Sequence, residues 1–221
     1  MPLLSCLAVL ILALPLASWA DGPGDSSPSA PTVRLSNPEI PEFTRLRPRW
    51  AVQLTGSANG LAPNNLSATT LSAGGIQFEY EPRFLQSIGV LSLGPSFDIY
   101  FDPSGNNTPS AFAVWGIGGQ VRYQARFFRD QPFVPMVGYT MEQITYHFSS
   151  DGSQGAYQAK GPVFGGYFLL NWLEKSAAAD FYDNWGILRS YLVAEVRSLS
   201  GGDGTSNVDG TSCFFGLRLE Y

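Results

Sequence analysis

From residue 49 to the end of the chain, apolar and polar residues take turns. Trp50, Val52 and Leu54 alternate with Ala51, Gln53 and Thr55, and Ile76, Phe78 and Tyr80 alternate with Gln77, Glu79 and Glu81. Leu91, Leu93, Phe97, Ile99 and Phe101 share a parity opposite Ser92, Ser96 and Asp98. Trp115, Ile117, Val121, Tyr123 and Phe127 share another, opposite Gln120, Arg122, Gln124 and Arg126. Phe133 to Phe148 and Tyr157 to Trp172 are long, strand-like and rich in aromatics and Gly. Leu188, Leu192, Ala194 and Val196 face Arg189, Glu195 and Arg197, and Cys213, Phe215, Leu217, Leu219 and Tyr221 face Gly216, Arg218 and Glu220. A period of two puts successive side chains on opposite faces of a strand. The pattern predicts eight strands, each of at least the 9–11 residues or so that a tilted strand needs to cross a bilayer.

The connections alternate in length. Residues 56–72, 102–110, 149–156 and 200–210 are long and rich in Gly, Ser, Asn and Asp, whereas 85–86 and 128–131 are short turns. The third connection on the short side, LEKSAAADFYDN at 173–184, has the composition of one short helix. Long loops at one end and mostly short turns at the other match an up-and-down barrel, its long loops outside the cell and its short turns in the periplasm.

Composition agrees with short strands and tight turns: 14% of residues are aromatic, 24 are Gly and only 14% are charged. Net charge is −5 with the basic residues scattered, which argues against nucleic acid as a partner. After residue 21 no apolar stretch reaches the ~18 residues of a membrane helix. Residues 1–20 carry an apolar run from Leu3 to Leu16, then Ser18 and Ala20 before Asp21. That run is too short to span a bilayer and reads as a cleaved secretory signal peptide, although no Lys or Arg precedes it. Residues 21–48 contain Pro23, Pro28, Pro31, Pro38, Pro41 and Pro48 among Ser, Gly and Asp, and read as a disordered periplasmic leader. The barrel is expected over 49–221.

Aromatic residues should then ring the two membrane interfaces. Threading places Trp50, Tyr80, Phe84, Phe127, Phe133, Trp172, Trp185 and Tyr221 at the periplasmic rim. It places Tyr100, Phe101, Phe112, Trp115, Tyr146, Phe148 and Tyr157 at the outer one.

The chain ends FFGLRLEY. Gly216, Leu219 and Tyr221 resemble the C-terminal signal by which barrel-assembly machinery recognises outer-membrane barrels, with Phe214 where a polar residue is usual. Residues 49–221 as a whole resemble small eight-stranded barrels of the OmpA, OmpX and OmpW kind. The resemblance lies in architecture and end signal, and it implies a Gram-negative outer-membrane location among outer-membrane lipid and lipopolysaccharide. It names no partner for the extracellular loops.

Candidate chemistry is sparse. Parity turns Glu79, Glu81, Asp98, Glu142, Glu195 and Glu220 into the lumen with Arg83, Arg122, Arg126, Lys160, Arg189, Arg197 and Arg218. An eight-stranded interior is only wide enough for side chains to fill it. Unpaired charges there are costly, so mutual pairing is expected, with a narrow solute path as the alternative. Pro135 and Pro162, on neighbouring strands, suggest a lateral seam through which an apolar molecule enters, as thought for palmitoyl-transferring and OmpW-like barrels. His147-Phe148-Ser149 resembles the His-x-Ser pair of an outer-membrane lipid A deacylase. That family's acid follows on the next strand, and residues 158–171 hold none, leaving Asp151 as the nearest alternative. The chain reads as a non-enzyme. One His and one Cys in the mature chain make no zinc site of the usual kind, no Gly-rich phosphate loop opens a helix, and no cofactor is expected.

Overall fold

The computed structural model describes residues 47–59, 62–63, 72–82, 86, 89–101, 112–128, 131–148, 154–171, 173, 175–202 and 208–221. The expected signal peptide, most of the expected leader and most of the long loops lie outside these. Strands form where the sequence alternates: β1 (Trp50–Asn59), β3 (Ser72–Tyr80), β4 (Val90–Phe101), β5 (Phe112–Gln124), β6 (Phe133–Phe148), β7 (Gln154–Leu169), β8 (Arg189–Gly201) and β9 (Val208–Glu220). Each pairs antiparallel with its neighbour in sequence, and β9 pairs with β1, closing an eight-stranded up-and-down barrel. A two-residue strand, β2 (Ala62–Pro63), extends the loop end of β9. The connection before β8 forms the helix its composition predicts, α1 (Lys175–Trp185).

Closure is completed at the lower rim, where the short connections lie. Arg49 N–H donates to the Tyr221 carbonyl and Tyr221 N–H to that of Trp50, both at 2.8 Å. Pro48, expected in the leader, is buried there, and its carbonyl accepts from Gln86 Nε2 at 3.1 Å.

The two faces are inverted relative to a water-soluble barrel. Leu54, Ile117 and Phe164 on the outer face are 51%, 53% and 54% exposed, while Gln53, Gln77 and Gln124 on the inner face are fully buried. On β6 the exposed apolar belt runs from Phe133 to Met141. Nine residues at about 3.3 Å each, tilted by about 40°, rise roughly 23 Å, which fits the ~25 Å apolar band of a membrane barrel.

Three aromatics expected at the outer rim turn inward instead. Tyr100 shares the parity of Ser96 and Asp98, not of Ile99 and Phe101, and is 3% exposed. Tyr157 is likewise buried, and half-buried Tyr146 packs with them against Ala73, Val114, Ile144, Ala159, Leu199 and Phe214. These residues form an apolar plug in the upper lumen. Phe101 and Trp115 remain outside, as do Trp50, Tyr80, Phe127, Phe133, Trp185 and Tyr221 at the lower rim. Phe84 and Trp172, and the side chains of Phe112 and Phe148, lie outside the described residues.

The prolines do not interrupt the ladder between their own two strands. β6 and β7 pair without a break from Phe133↔Phe168 to His147↔Gln154, with Pro135 opposite Gly166 and Pro162 opposite Tyr139. Each missing donor faces away from that seam. Pro135 accepts from Ala125 N–H on the β5 side, where its own ring cannot donate back. Gln131 supplies the substitute, its Nε2 donating to the Ala125 carbonyl at 2.9 Å. Pro162 faces β8, and the β7–β8 ladder omits Gly161 and Pro162 between Lys160↔Ser200 and Val163↔Arg197. Pro95 does the same to β3: that ladder skips from Gln77↔Ser96 to Tyr80↔Leu93. Register is unchanged across both gaps, so the strands stay in step.

In both gaps an inward glycine precedes the proline and meets a carbonyl. A Cβ on Gly161 would lie 1.7 Å from the Ser198 oxygen, and one on Gly94 would lie 1.8 Å from that of Phe78. Gly161→Ala must therefore push β7 and β8 apart and should cost about 1–3 kcal/mol or more. Gly74→Ala, with nothing within 4 Å of its Cβ, should be close to neutral. Urea midpoints of the two variants, followed by tryptophan fluorescence, check the contrast.

Candidate functional site

The lumen below the apolar plug is filled by one connected set of charges. At its lower end Arg126 bonds to Glu220, and Arg189 stands 3.7 Å from the same carboxylate. Arg218 is the hub: its Nε donates to Glu220 at 3.2 Å, its Nη1 to Glu79 at 2.7 Å and its Nη2 to Glu81 at 2.6 Å. Arg122 lies 3.5 Å from Glu79 and 3.0 Å from Glu195. Arg197 continues upward, its Nε donating to Glu195 at 2.7 Å and its Nη1 to Asp98 at 3.2 Å, with Glu142 at 3.6 Å. Tyr100 caps the series by donating its hydroxyl to Glu142 at 2.8 Å.

Neutral groups complete it. Gln53 donates to Glu195 and accepts from Arg122, at 3.0 and 2.9 Å. Gln120 donates to Gln77 and Glu79, and Gln124 to Glu81. Thr55 accepts from Arg197 and Tyr167 from Arg122. The guanidinium of Arg197 stacks on the Phe214 ring at 4.0 Å and that of Arg218 on Tyr167 at 5.0 Å. Tyr167 belongs to an apolar wall on β6, β7 and β8 made with Val134, Met136, Val163, Leu169, Tyr191 and Val193. All eight long strands contribute a side chain to this network.

Burial and pairing go together here. Arg122 and Arg218 are 0% exposed, as are Glu81, Asp98 and Glu220. A buried charge without a partner costs several kcal/mol, and each of the six carboxylates has an Arg within 4 Å.

Of the charges expected in the lumen, Glu79, Glu81, Asp98, Arg122, Arg126, Glu142, Glu195, Arg197, Arg218 and Glu220 meet, with Arg189 at the lower margin. Lys160 does not, and this corrects the expectation: its side chain is exposed on the outer face of β7, next to inward Ala159 and Gly161. Arg83 lies outside the described residues. The described network therefore sets six carboxylates against the five guanidiniums of Arg122, Arg126, Arg189, Arg197 and Arg218, not against seven bases. Gln53, Thr55, Gln77, Gln120, Gln124, Tyr100 and Tyr167 join the network without a charge to mark them in the sequence. The strand parity that selected the charges selects these too.

His147 is exposed on the outer face, opposite Gln154 on β7, while Ser149 and Asp151 lie outside the described residues. No group of three or more metal-ligating side chains occurs among the described residues. Gly216, Leu219 and Tyr221 sit on the closing strand. Gly216 pairs with Thr55, Leu219 with Val52, and the Tyr221 ring is exposed at the lower rim.

Fold and lumen together define a closed, eight-stranded antiparallel barrel of the small outer-membrane type, the architecture implied by the resemblance to OmpA-, OmpX- and OmpW-like proteins. No protein-family model matches the chain, and no curated protein sequence does. Among solved structures the chain is similar to the crystal structure of Neisserial surface protein A (NspA), at 17% identity over 78% of this chain and 97% of that one, with a TM-score of 0.55. A likeness at that identity establishes the fold alone.

Removing the hub tests the network. Arg218→Met leaves Glu81 with no guanidinium within 4 Å and should destabilise the barrel by about 3–5 kcal/mol. Pairing it with Glu81→Gln should recover part of that loss, because the stranded charge goes too. Lys160→Ala, outside the network, should change stability by less than about 0.5 kcal/mol. Unfolding midpoints in one lipid or detergent system measure all three.

Proposed function

We propose that this chain is an integral outer-membrane protein whose barrel is a closed scaffold, serving envelope structure or surface interaction through its extracellular loops. The observation that carries this reading is the pairing of an apolar, exposed exterior with a lumen whose charges are fully buried. An exterior of exposed Leu, Ile, Phe and Val around the whole barrel suits lipid. The Arg122 and Arg218 guanidiniums, at 0% exposure, are covered by their lumen neighbours, which supports a closed interior at their level.

The likeness to Neisserial surface protein A supports the same placement. In that setting the outer face meets outer-membrane lipid and lipopolysaccharide. The signal peptide at 1–20 directs export, and Gly216, Leu219 and Tyr221 serve the barrel-assembly machinery. No reaction is assigned, because His147 faces outward on β6 and no acid stands beside it on β7.

The reading predicts that purified protein in a planar bilayer gives no steady open-channel steps. Steady steps in the unmodified chain would overturn the closed scaffold in favour of a narrow channel.

A further inference from the structure

The lower rim carries a feature that the barrel itself does not need. A two-residue turn joins antiparallel strands, yet β7 and β8 are joined by 19 residues, 170 to 188, containing α1. The root of this excursion is fixed. Asn171 accepts from both the backbone N–H and the hydroxyl of Ser190, at 2.8 and 3.1 Å, and donates to the Leu188 carbonyl at 3.2 Å. Leu170 N–H donates to Ser190 and Leu188 N–H to Glu220. At the far end Gly186, with φ +69°, takes the left-handed conformation that stops the helix, and Ile187 N–H reaches back to the Phe181 carbonyl. The helix is thereby held at the rim by both ends.

Its faces differ. Ala178, Phe181 and Trp185 follow one another at spacings of three and four and so share a face. Ala178 is buried, but Phe181 is 46% exposed and Trp185 72%. Asp180 and Asp183 are exposed and fall elsewhere around the helix. Leu173, just before α1, is exposed as well. Exposed large apolar groups on a short, tethered helix call for a medium that covers them.

We propose that α1 lies in the headgroup region of the periplasmic leaflet as an interfacial anchor, with Phe181 and Trp185 in lipid and Asp180 and Asp183 toward water. The occupant is a lipid surface because these rings extend an existing one. Trp50, Phe127, Phe133 and Tyr221 are exposed on the same rim, at the level where amphipathic rings settle at a bilayer interface. An amphipathic helix in the plane of the interface buries such a face among headgroups and outer acyl carbons. Its tethered root makes the anchor a depth gauge: it fixes how far the lower rim stands from the acyl core.

This rests on the membrane reading above, and the experiment separates the two. The full mature chain is refolded into phosphatidylcholine vesicles brominated either near the headgroup or deep in the acyl chain. Subtracting the spectrum of Trp185→Phe from that of the unaltered chain isolates the emission of Trp185. Trp115, on the outer face of β5, serves as the internal control through Trp115→Phe. The expected result is a larger loss of Trp185 emission with shallow bromines than with deep ones, and little loss with aqueous acrylamide. If acrylamide quenches Trp185 while bromolipid quenches Trp115 but not Trp185, the anchor is overturned and a water-exposed docking helix for a soluble protein takes its place. If bromolipid quenches neither, the membrane reading falls and the anchor with it. Phe181→Ser gives an independent check on a chain whose Trp185 is intact: its Trp185 emission should shift to the red and gain acrylamide quenching, with the unfolding midpoint of the barrel retained. No change in either would also count against the anchor.

Discussion

A strand in lipid has no water to satisfy its backbone, so every inter-strand bond must be made inside the sheet, and the sheet must have no edge. The pairing of β9 with β1, from Ala51↔Glu220 to Asn59↔Cys213, removes the last two edges. Much else follows from it. Closure with eight strands sets the interior width, and that width is too small for a lumen of bulk water. The inner face must then be solid, and its contents must pair with one another. Inward glycines such as Gly216, where a Cβ would fall 1.8 Å from the Leu54 carbonyl, let the facing strands approach on the closing seam.

The inner face is lined by two different chemistries along one axis. The upper lumen is filled by rings, Tyr100, Tyr157 and Phe214, with small aliphatic residues between them. Below, an alternating series of guanidiniums and carboxylates runs from Arg197 down to Arg126. Tyr100 belongs to both, packed in the plug and donating to Glu142. The charged series links strands far apart in sequence, such as β3 to β9 through Glu79–Arg218 and β4 to β8 through Asp98–Arg197. A buried ionic network is weak evidence of stability compared with an apolar core, but it is selective. A one-residue slip of any strand would turn its charges onto the apolar outer face. The network therefore specifies register as much as it contributes energy.

The sequence made the strands legible because an apolar face outside and paired charge inside are the strongest contrast that a period of two can carry. β1, β3, β4, β5, β8 and β9 follow it, and so does nearly every charge assigned to the lumen. Two failures share one cause. Tyr100 and Tyr157 pass for rim aromatics by residue type, because a ring suits an interface and a core equally. Only their parity with Asp98 and Ala159 decides between the two, and near Tyr157 the neighbours are Gly155, Ala156, Ala159 and Gly161, which carry little polarity. Lys160 was lost on the same stretch. β6 and β7 are 16 residues long, against 9 to 13 for the other long strands. From the level of Met141, which pairs with Lys160, upward their outer faces carry Gln143, His147, Gln154, Gln158 and Lys160, all exposed. There the hairpin has risen past the apolar belt, the outer face is polar while the inner face is the apolar plug, and alternation points the wrong way.

The prolines show why a seam is hard to read from spacing. Pro135 and Pro162 are on adjacent strands, which invites the inference that they weaken one ladder. In an antiparallel sheet, however, the N–H and C=O of a residue point to the same neighbour, and successive residues point to opposite ones. The strand that feels a proline is therefore set by the parity of the hydrogen-bond pattern, not by which proline is near. Pro135 takes its donor from the β5 side, and Gln131 replaces it. Pro162 takes its donor from β8, where Gly161 lets the Ser198 carbonyl come close. Gly94-Pro95 repeats the arrangement against Phe78 on the opposite side of the barrel sequence. Both Gly-Pro steps sit near the middle of their strands with register preserved on either side. The same dipeptide removes a donor and makes room for the carbonyl that lost it, so the ladder is interrupted locally while the register holds on both sides.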